Sequence, residues 1–217
     1  MSSLMKSLIK NIRFYVLLLS LSFSIIVYFW INLIINNESL RIIKLTQIYA
    51  LTAMTFLYFA LLCGPFCYTF RGFRYRAQYL KARRAIGVSA FYFALLHVLL
   101  AFFGQIGGFE GLKFLDIKYL FAISLSFTAL IILSLMAATS FDFIIAKMTF
   151  VKWKLLHRFV YLAGIFVLIH SFLIGTHFQD LFEPIPLVFL GAIAFLLVLE
   201  ARRIIVFLRR KFAKDKR

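Results

Sequence analysis

The chain contains six apolar segments, each close to the length that a helix needs to cross a lipid bilayer. A membrane-spanning helix requires about 20 consecutive, mostly apolar residues. Windows of this kind, with few or no charged residues, occupy positions 14–35, 48–70, 85–105, 118–140, 156–176 and 184–207. Hydrophobic residues make up 64% of the 217 positions, well above the share found in soluble domains. The sequence therefore predicts an all-α, polytopic membrane bundle of six transmembrane helices.

The spacing of these segments predicts a single transmembrane domain over residues 1–217. The gaps between them are only about a dozen residues long, too short for a separate soluble domain. The opening stretch MSSLMKSLIKNIRF is basic and precedes a long uncharged segment. It lacks the short apolar core and small-residue cleavage site of a secretory signal, so we interpret that segment as a retained first span.

The distribution of basic residues predicts the orientation of the chain. The formal net charge is +17, and the basic residues concentrate in the two tails and in the second and fourth gaps. They are Lys6, Lys10 and Arg13; Arg71, Arg74, Arg76, Lys81, Arg83 and Arg84; Lys147, Lys152, Lys154 and Arg158; and Arg209, Arg210, Lys211, Lys214, Lys216 and Arg217. The positive-inside rule places these regions, and both termini, in the cytoplasm. Topology and membrane lipid headgroups thus explain the charge, and no basic domain remains for binding nucleic acid.

Three histidines lie within the apolar segments: His97 in the third, and His157 and His170 in the fifth. Ionisable side chains inside a bilayer are costly and tend to mark functional sites. At a rise of about 1.5 Å per residue, His97 lies roughly 20 Å outward from Arg83, and His170 lies roughly 20 Å outward from His157. His97 and His170 are therefore expected at one depth in the outer leaflet, with His157 near the cytoplasmic surface.

Two neutral imidazoles at one depth on neighbouring helices can bind a haem iron from both faces, as in membrane b-type cytochromes. Gly87, Ala90 and Ala94 share the helix stripe of His97, and their small side chains leave room for a flat macrocycle. The alternative is that each histidine only forms a hydrogen bond across a helix interface. Zinc is less favoured because no Cys, Asp or Glu lies near the pair in the sequence. A haem with two histidine ligands has no open iron site, which indicates electron transfer.

An outer haem alone would leave most of the membrane thickness uncrossed. We therefore expect a second redox group near the cytoplasmic side, in a basic pocket formed by Arg83, Arg84, Trp153, His157 and Arg158. A flavin phosphate or a quinone would suit this pocket, and a second haem on His157 is the alternative.

The spacing of the two histidines in the fifth segment constrains that helix. His157 and His170 are 13 residues apart, which corresponds to about 140° around an ideal helix. The helix must tilt or distort if both histidines serve one stack of cofactors. Otherwise they serve different sites.

The second segment contains the sequence CGPFC at positions 63–67. A redox or metal-binding role for Cys63 and Cys67 is one interpretation, but small residues buried in a membrane helix are favoured. Gly64 and Pro65 are expected to bend or end the helix near the cytoplasm.

Other polar residues near the last two segments are interpreted as surface features. His177 lies in an outer loop with Asp180 and Glu183; solvent exposure is the default, and docking of an external partner is the alternative. Glu200 is expected to pair with Arg203 at spacing i+3, without a catalytic role.

Two stretches, RRAIGVSAFYFALLH at 83–97 and WKLLHRFVYLAGIFVLIH at 153–170, resemble the ferric reductase-like transmembrane family. The resemblance also includes the ATS at 138–140 and the region of Pro65, and it extends over about residues 45–205. It implies a cytochrome b-like core in which His97 and His170 match the haem b ligands and His157 matches the remaining family histidine. Two-haem relatives have a further histidine 14 residues before the His97 position. Arg83 stands there in this chain, which argues against a conventional inner haem.

The resemblance further implies an electron-transfer subunit of the bacterial inner membrane, distinct from the catalytic subunit of its oxidoreductase complex. The expected acceptor is a periplasmic, molybdopterin-containing methionine-sulfoxide reductase that repairs oxidised proteins. The expected donor is a cytoplasmic flavin reductase or the quinone pool, and FMN is an associated cofactor. The alternatives are a ferric or cupric reductase that uses the same haem, and a non-redox small membrane transporter or assembly factor.

Overall fold

The computed structural model describes residues 11–215, which form helices and contain no β-strand. The helices are α1 (Ile12–Ile34), α2 (Glu38–Thr69), α3 (Arg76–Leu99), α4 (Gly108–Leu112), α5 (Ile117–Ala138), α6 (Asp142–Lys147), α7 (Phe150–Arg158), α8 (Val160–Ile174) and α9 (Pro184–Asp215), with a π-helix over Leu100–Ile106 and a 3₁₀ turn over Thr176–Phe178. Six segments within the described range are long and apolar enough to span a membrane. The predicted all-α fold with six spans is thus confirmed.

Part of the charge pattern used for orientation lies outside the described residues. Lys6, Lys10, Lys216 and Arg217 lie beyond the described range, and the side chains of Arg210, Lys211 and Lys214 are likewise not described.

Two helices begin about ten residues earlier than the apolar windows predicted. α2 begins at Glu38, after Asn37, whose side chain accepts a hydrogen bond of 3.0 Å from the backbone N–H of Leu40. α3 begins at Arg76, before its apolar window. Hydropathy detects only the part of a helix that contacts lipid, whereas caps and backbone hydrogen bonds continue the helix into polar sequence.

Of the two effects expected at Gly64 and Pro65, a bend or an end of α2, the end is excluded, because the helix continues to Thr69. Proline removes one backbone donor and disturbs the preceding turn. Six and five residues before the proline, the carbonyl of Phe59 accepts a bond of 2.6 Å from the Tyr79 hydroxyl, and the carbonyl of Ala60 accepts one of 3.1 Å from Arg83 Nε. Donors from α3 thus stabilise the backbone beside the proline.

Four helices form the centre of the molecule. α3 packs along α2 and α5, and α8 packs along α5 and also contacts α2. Within residues 11–215, α3 and α8 do not pack extensively against each other. They therefore occupy diagonal positions in a four-helix bundle, with α1 packed on α3 and α9 packed on α2.

The middle of this bundle is filled by small and branched apolar side chains. This middle layer consists of Leu57 and Leu61 on α2, Ala90 on α3, Ala129 and Leu133 on α5, and Val160 and Ala163 on α8. The three alanines are no more than 1% exposed, which allows close approach of the helix backbones.

A second cluster joins α1 and α2 to α3. Its centre is Phe93, which is fully buried and stacks on Phe56 at 5.6 Å between ring centroids. Interhelical hydrogen bonds support it, including Ser20 to Ser89 at 2.8 Å and the Tyr49 hydroxyl to the Ser24 carbonyl at 2.9 Å. α1 is therefore fixed to the bundle by polar as well as apolar contacts.

Candidate functional site

His97 on α3 and His170 on α8 meet across the interior of the four-helix bundle. Their ring centroids are 6.4 Å apart and their planes are 80° apart. The two side chains come from the diagonal helices, so they approach each other across the bundle axis. The structure thus brings together the two histidines whose depths were matched in the sequence.

Each of these rings is held by a backbone carbonyl on a neighbouring helix. His97 Nδ1 lies 3.1 Å from the Thr46 carbonyl oxygen on α2, and His170 Nδ1 lies 3.0 Å from the Ala122 carbonyl oxygen on α5. A carbonyl oxygen can only accept, so Nδ1 carries the proton in both rings. In the neutral imidazole, Nε2 then carries the lone pair that can bind a metal. The hydrogen bond across the helix interface therefore uses only Nδ1 of each ring, and Nε2 can still bind a metal.

The separation of the rings fits one metal ion between them. A metal–imidazole bond is about 2 Å long, and a ring centroid lies roughly 1 Å behind its nitrogen, so two imidazoles on opposite faces of one ion have centroids about 6 Å apart. In the described part of the chain, no group of three or more His, Cys, Asp and Glu residues could hold a metal. The pair thus suits a metal whose other ligands come from a macrocycle.

The π-helix over Leu100–Ile106 begins three residues after His97. It packs closely on α2: a Cβ added at Gly104 would lie 2.7 Å from Ile42 Cγ2. Ile42 is one turn before Thr46, whose carbonyl holds His97, so this contact sets the position of α2 relative to the histidine. Hydropathy could not detect the element because a π-turn has the same apolar composition as the helix that it extends.

The fifth span is interrupted between its two histidines. α7 ends at Arg158, α8 begins at Val160, and Phe159 lies between them. His157 therefore belongs to a different helix from His170. The 13-residue spacing predicted either a distorted span or two different sites, and a break in the span is present at Phe159.

At the end of the bundle that carries most of the basic residues, His157 stacks on Trp153 with 4.2 Å between ring centroids. His157 Nε2 is buried and has no hydrogen-bond partner among the described residues. The charges of Arg83 and Arg84 act on its imidazole. Four of the five predicted pocket residues thus lie together at this basic end, whereas Arg158 is exposed.

Arg84 also has a structural partner. Its Nη1 donates to Asp142 Oδ1 at 2.6 Å, and Arg13 Nη1 lies 3.6 Å from Asp142 Oδ2. The hydrogen bond from Arg84 and its charge, with a smaller contribution from Arg13, hold the pKa of Asp142 below its usual range. The exposed carboxylate thus links α1, α3 and α6.

The remaining polar residues named in the sequence lie outside both histidine sites. Cys63 and Cys67 are free and are 0% and 2% exposed; their thiols point toward the carbonyls of Tyr79 and Arg76 at the α2–α3 interface. Their burial fits the favoured packing interpretation. His177 is half-buried in the 3₁₀ turn, and Asp180 and Glu183 are exposed.

The predicted pair between Glu200 and Arg203 is confirmed, and it has a further contact that the sequence did not reveal. Arg203 bonds to Glu200, and its Nη2 also lies 3.1 Å from the Tyr161 hydroxyl on α8. A Cβ added at Gly64 on α2 would lie 2.9 Å from Arg203 Nη1. Arg203 on α9 thus contacts two other helices, α2 and α8, near the basic end, a location that its position in an apolar segment does not indicate.

Six membrane-spanning helices and two imidazoles that face each other inside the bundle define a polytopic membrane protein with an internal bis-histidine site. Residues 46–169 match the family described as the ferric reductase like transmembrane component. This match covers more than half of the chain, and the chain belongs to this family. The matched range includes His97 and His157 and ends one residue before His170.

Two curated relatives have the same description, protein-methionine-sulfoxide reductase heme-binding subunit MsrQ. The chain is 33% identical over 133 residues to the relative from Rhodospirillum rubrum, over 61% of this chain and 60% of the relative. It is 34% identical over 92 residues to the relative from Polaromonas naphthalenivorans, over 42% of each chain. The chain thus spans about 60% of the first relative and less than half of the second.

Proposed function

We propose that this chain is a haem b electron-transfer subunit of a membrane oxidoreductase. The observation that carries the proposal is the facing pair His97 and His170, with each Nδ1 bonded to a carbonyl and the ring centroids 6.4 Å apart. Membership of the ferric reductase-like family and the heme-binding description of both relatives support the same role.

In this proposal, His97 and His170 hold the haem iron through Nε2, while the Thr46 and Ala122 carbonyls fix the tautomer and orientation of the rings. When bound, the haem would supply one-electron chemistry, and its attachment through two imidazoles would favour electron transfer over reaction with a bound substrate. The middle layer excludes water between the two ends of the bundle.

We assign the second redox group to the basic end, where Trp153 stacks on His157 and the charges of Arg83 and Arg84 act on the ring. The buried, unpartnered His157 Nε2 supports a group that bonds to it there, within the range that the structure describes. FMN or a quinone is the proposed occupant, with Arg158 at the exposed edge. A second haem on His157 is the alternative for this site.

The proposed direction of electron flow is from the cytoplasm to the periplasm across the bacterial inner membrane. A cytoplasmic flavin reductase or the quinone pool would donate at the basic end. The proposed acceptor is a periplasmic, molybdopterin-containing methionine-sulfoxide reductase, and the descriptions of the two relatives support that system. The description of the family favours one further candidate, a ferric or cupric reductase.

The test is a reduced-minus-oxidised visible spectrum of the detergent-purified protein, with haem and flavin quantified. We expect a b-type signal in the wild type and in His177→Ala, which alters the histidine of the outer loop. His97→Ala and His170→Ala should each lose most of the haem, because removing one of two axial ligands weakens binding by about tenfold or more.

A colourless wild-type protein, made with adequate haem supply, would contradict the proposal and favour a non-redox transporter or assembly factor. If the haem is present, its reoxidation by a ferric chelate and by the methionine-sulfoxide reductase distinguishes the two candidate acceptors.

A further inference from the structure

Two guanidinium groups from different helices converge on one glycine at the basic end of the bundle. A Cβ added at Gly64 on α2 would lie 2.9 Å from Arg203 Nη1 and 3.9 Å from Arg83 Nη1. Arg203 reaches this point from α9 and Arg83 from α3. The absence of a side chain at Gly64 therefore lets Arg203 pack against the backbone of α2 close to Arg83, and we call this place the Gly64 notch.

The charges around this notch are not balanced by the described residues. Arg203 pairs with Glu200 and bonds to the Tyr161 hydroxyl. Arg83 Nε donates to the Ala60 carbonyl, and among the carboxylates whose side chains the structure describes none lies within ion-pair distance of Arg83. By contrast, its neighbour Arg84 has Asp142 as a partner. Of these two half-buried cations, Arg203 thus has a described carboxylate as a partner and Arg83 does not.

An unpaired cation beside a second cation is costly within a membrane-spanning segment unless an anion compensates it. Guanidinium groups bind phosphate oxygens with paired, charge-assisted hydrogen bonds. The guanidinium groups of Arg83 and Arg203, which converge at the Gly64 notch, provide the charge for such a group. A side chain at position 64 would displace the Arg203 guanidinium from this place.

We propose that Arg83 and Arg203, with Gly64 between them, form a binding site for a phosphate group at the basic end of the bundle. The phosphate has two candidate sources, the headgroup of an anionic phospholipid and a phosphorylated soluble molecule. The site adjoins the His157 pocket through Arg83. It is inferred from charge and geometry alone and does not depend on haem binding.

Four variants isolate the site. Arg203→Gln removes one guanidinium, and Glu200→Gln/Arg203→Gln does so without leaving the carboxylate unpaired. Gly64→Ala keeps every charge but displaces the flexible end of Arg203, whose Nη1 lies 2.9 Å from the added methyl group. Arg203→Lys keeps the charge but loses the planar fork.

Two matched controls stand on the same helix, α9. Arg202→Gln removes an exposed arginine next to Arg203. Gly191→Ala adds a methyl group with no heavy atom within 4 Å. Both controls should behave as the wild type does.

Two binding measurements distinguish the sources of the phosphate. In the first, FMN and riboflavin are titrated onto the protein in phosphatidylcholine nanodiscs and followed by flavin fluorescence, since the two share a ring system and differ in the phosphate. In the second, native mass spectrometry counts the phosphatidylglycerol molecules retained by protein purified from mixed lipid. In one of these two measurements, we expect phosphate-dependent binding that weakens about tenfold or more in Arg203→Gln and Gly64→Ala.

Tighter binding of FMN than of riboflavin, lost in these variants, would assign the site to a soluble phosphate. Retention of phosphatidylglycerol, lost in the same variants, would assign it to a lipid headgroup. If neither probe shows phosphate-dependent binding, or if all variants bind as the wild type does, the proposal is wrong. Haem content measured on the same samples reports separately on the proposed function.

Discussion

At the scale of single residues, the three intramembrane histidines are not equivalent. His97 and His170 each have Nδ1 bonded to a backbone carbonyl and face one another. His157 instead stacks on an indole, and its Nε2 is buried without a partner among the described residues. This difference supports separate roles, in which His97 and His170 are ligands of one metal and His157 contacts another group.

We therefore expect His157→Ala to retain the spectrum of the outer haem while slowing its reduction by the donor about tenfold or more, as loss of a ligand contact typically does. Stopped-flow reduction with a flavin reductase, and separately with a quinol, measures the effect.

Trp153→Phe, which keeps an aromatic ring beside His157, is the matched control and should reduce the rate less. Loss of all haem from His157→Ala would show that this histidine holds the outer cofactor or the fold, and would sink the assignment of separate sites.

The sequence was sufficient to predict the pairing of His97 and His170, because depth in a membrane follows from the rise of a helix. It could not predict that Thr46 and Ala122 hold these rings, since every residue has a carbonyl and only the packing selects two of them. The contact between Gly64 and Arg203 could not be predicted for a similar reason. They are distant in sequence, and their contact depends on how α9 packs on α2.

At the scale of helices, the number and the approximate centres of the spans could be predicted, whereas their ends and interruptions could not. Hydropathy gave the apolar part of α2 and α3, but both helices continue into polar sequence. The break at Phe159 was one of two outcomes that the histidine spacing allowed, and the spacing could not locate it. The π-helix after His97 left no sequence signal that we recognised.

The packing of α1 and α2 against α3 is centred on one aromatic residue. Phe93 is fully buried and contacts the rings of Phe23, Tyr49 and Phe56. We expect Phe93→Ala to lower the free energy of unfolding by about 3–5 kcal/mol, because it leaves a cavity that rigid helices cannot close. Thermal unfolding in detergent, monitored by circular dichroism, measures the change.

Phe127→Ala is the control for this prediction, since that side chain is 58% exposed on α5 and should contact lipid. Equal loss of stability in both variants would show that Phe93 contributes no more than a lipid-facing phenylalanine.

At the scale of the whole molecule, the concentration of basic residues at one end predicts that this end faces the cytoplasm. Single cysteines can test this orientation after Cys63 and Cys67 are replaced by alanine. We expect Phe114→Cys, in the loop between α4 and α5, to react with a membrane-impermeant maleimide in spheroplasts. Phe143→Cys, in α6, should react only after lysis. Both side chains are well exposed on the protein surface, at 87% and 68%.

Labelling of Phe143→Cys in intact spheroplasts, with Phe114→Cys protected, would reverse the proposed orientation and the proposed direction of electron flow. Protection of both positions until lysis would also contradict the proposed orientation, because it would place the loop after α4 away from the outer surface.

The one-residue interruption at Phe159 has a consequence for how this architecture can vary. If the fifth span were one continuous helix, any rotation that moved His157 would also move His170. Because α7 and α8 are separate helices that meet at Phe159, the direction of α7 is set separately from that of α8. The basic end that carries His157 can therefore differ in geometry while His170 stays opposite His97.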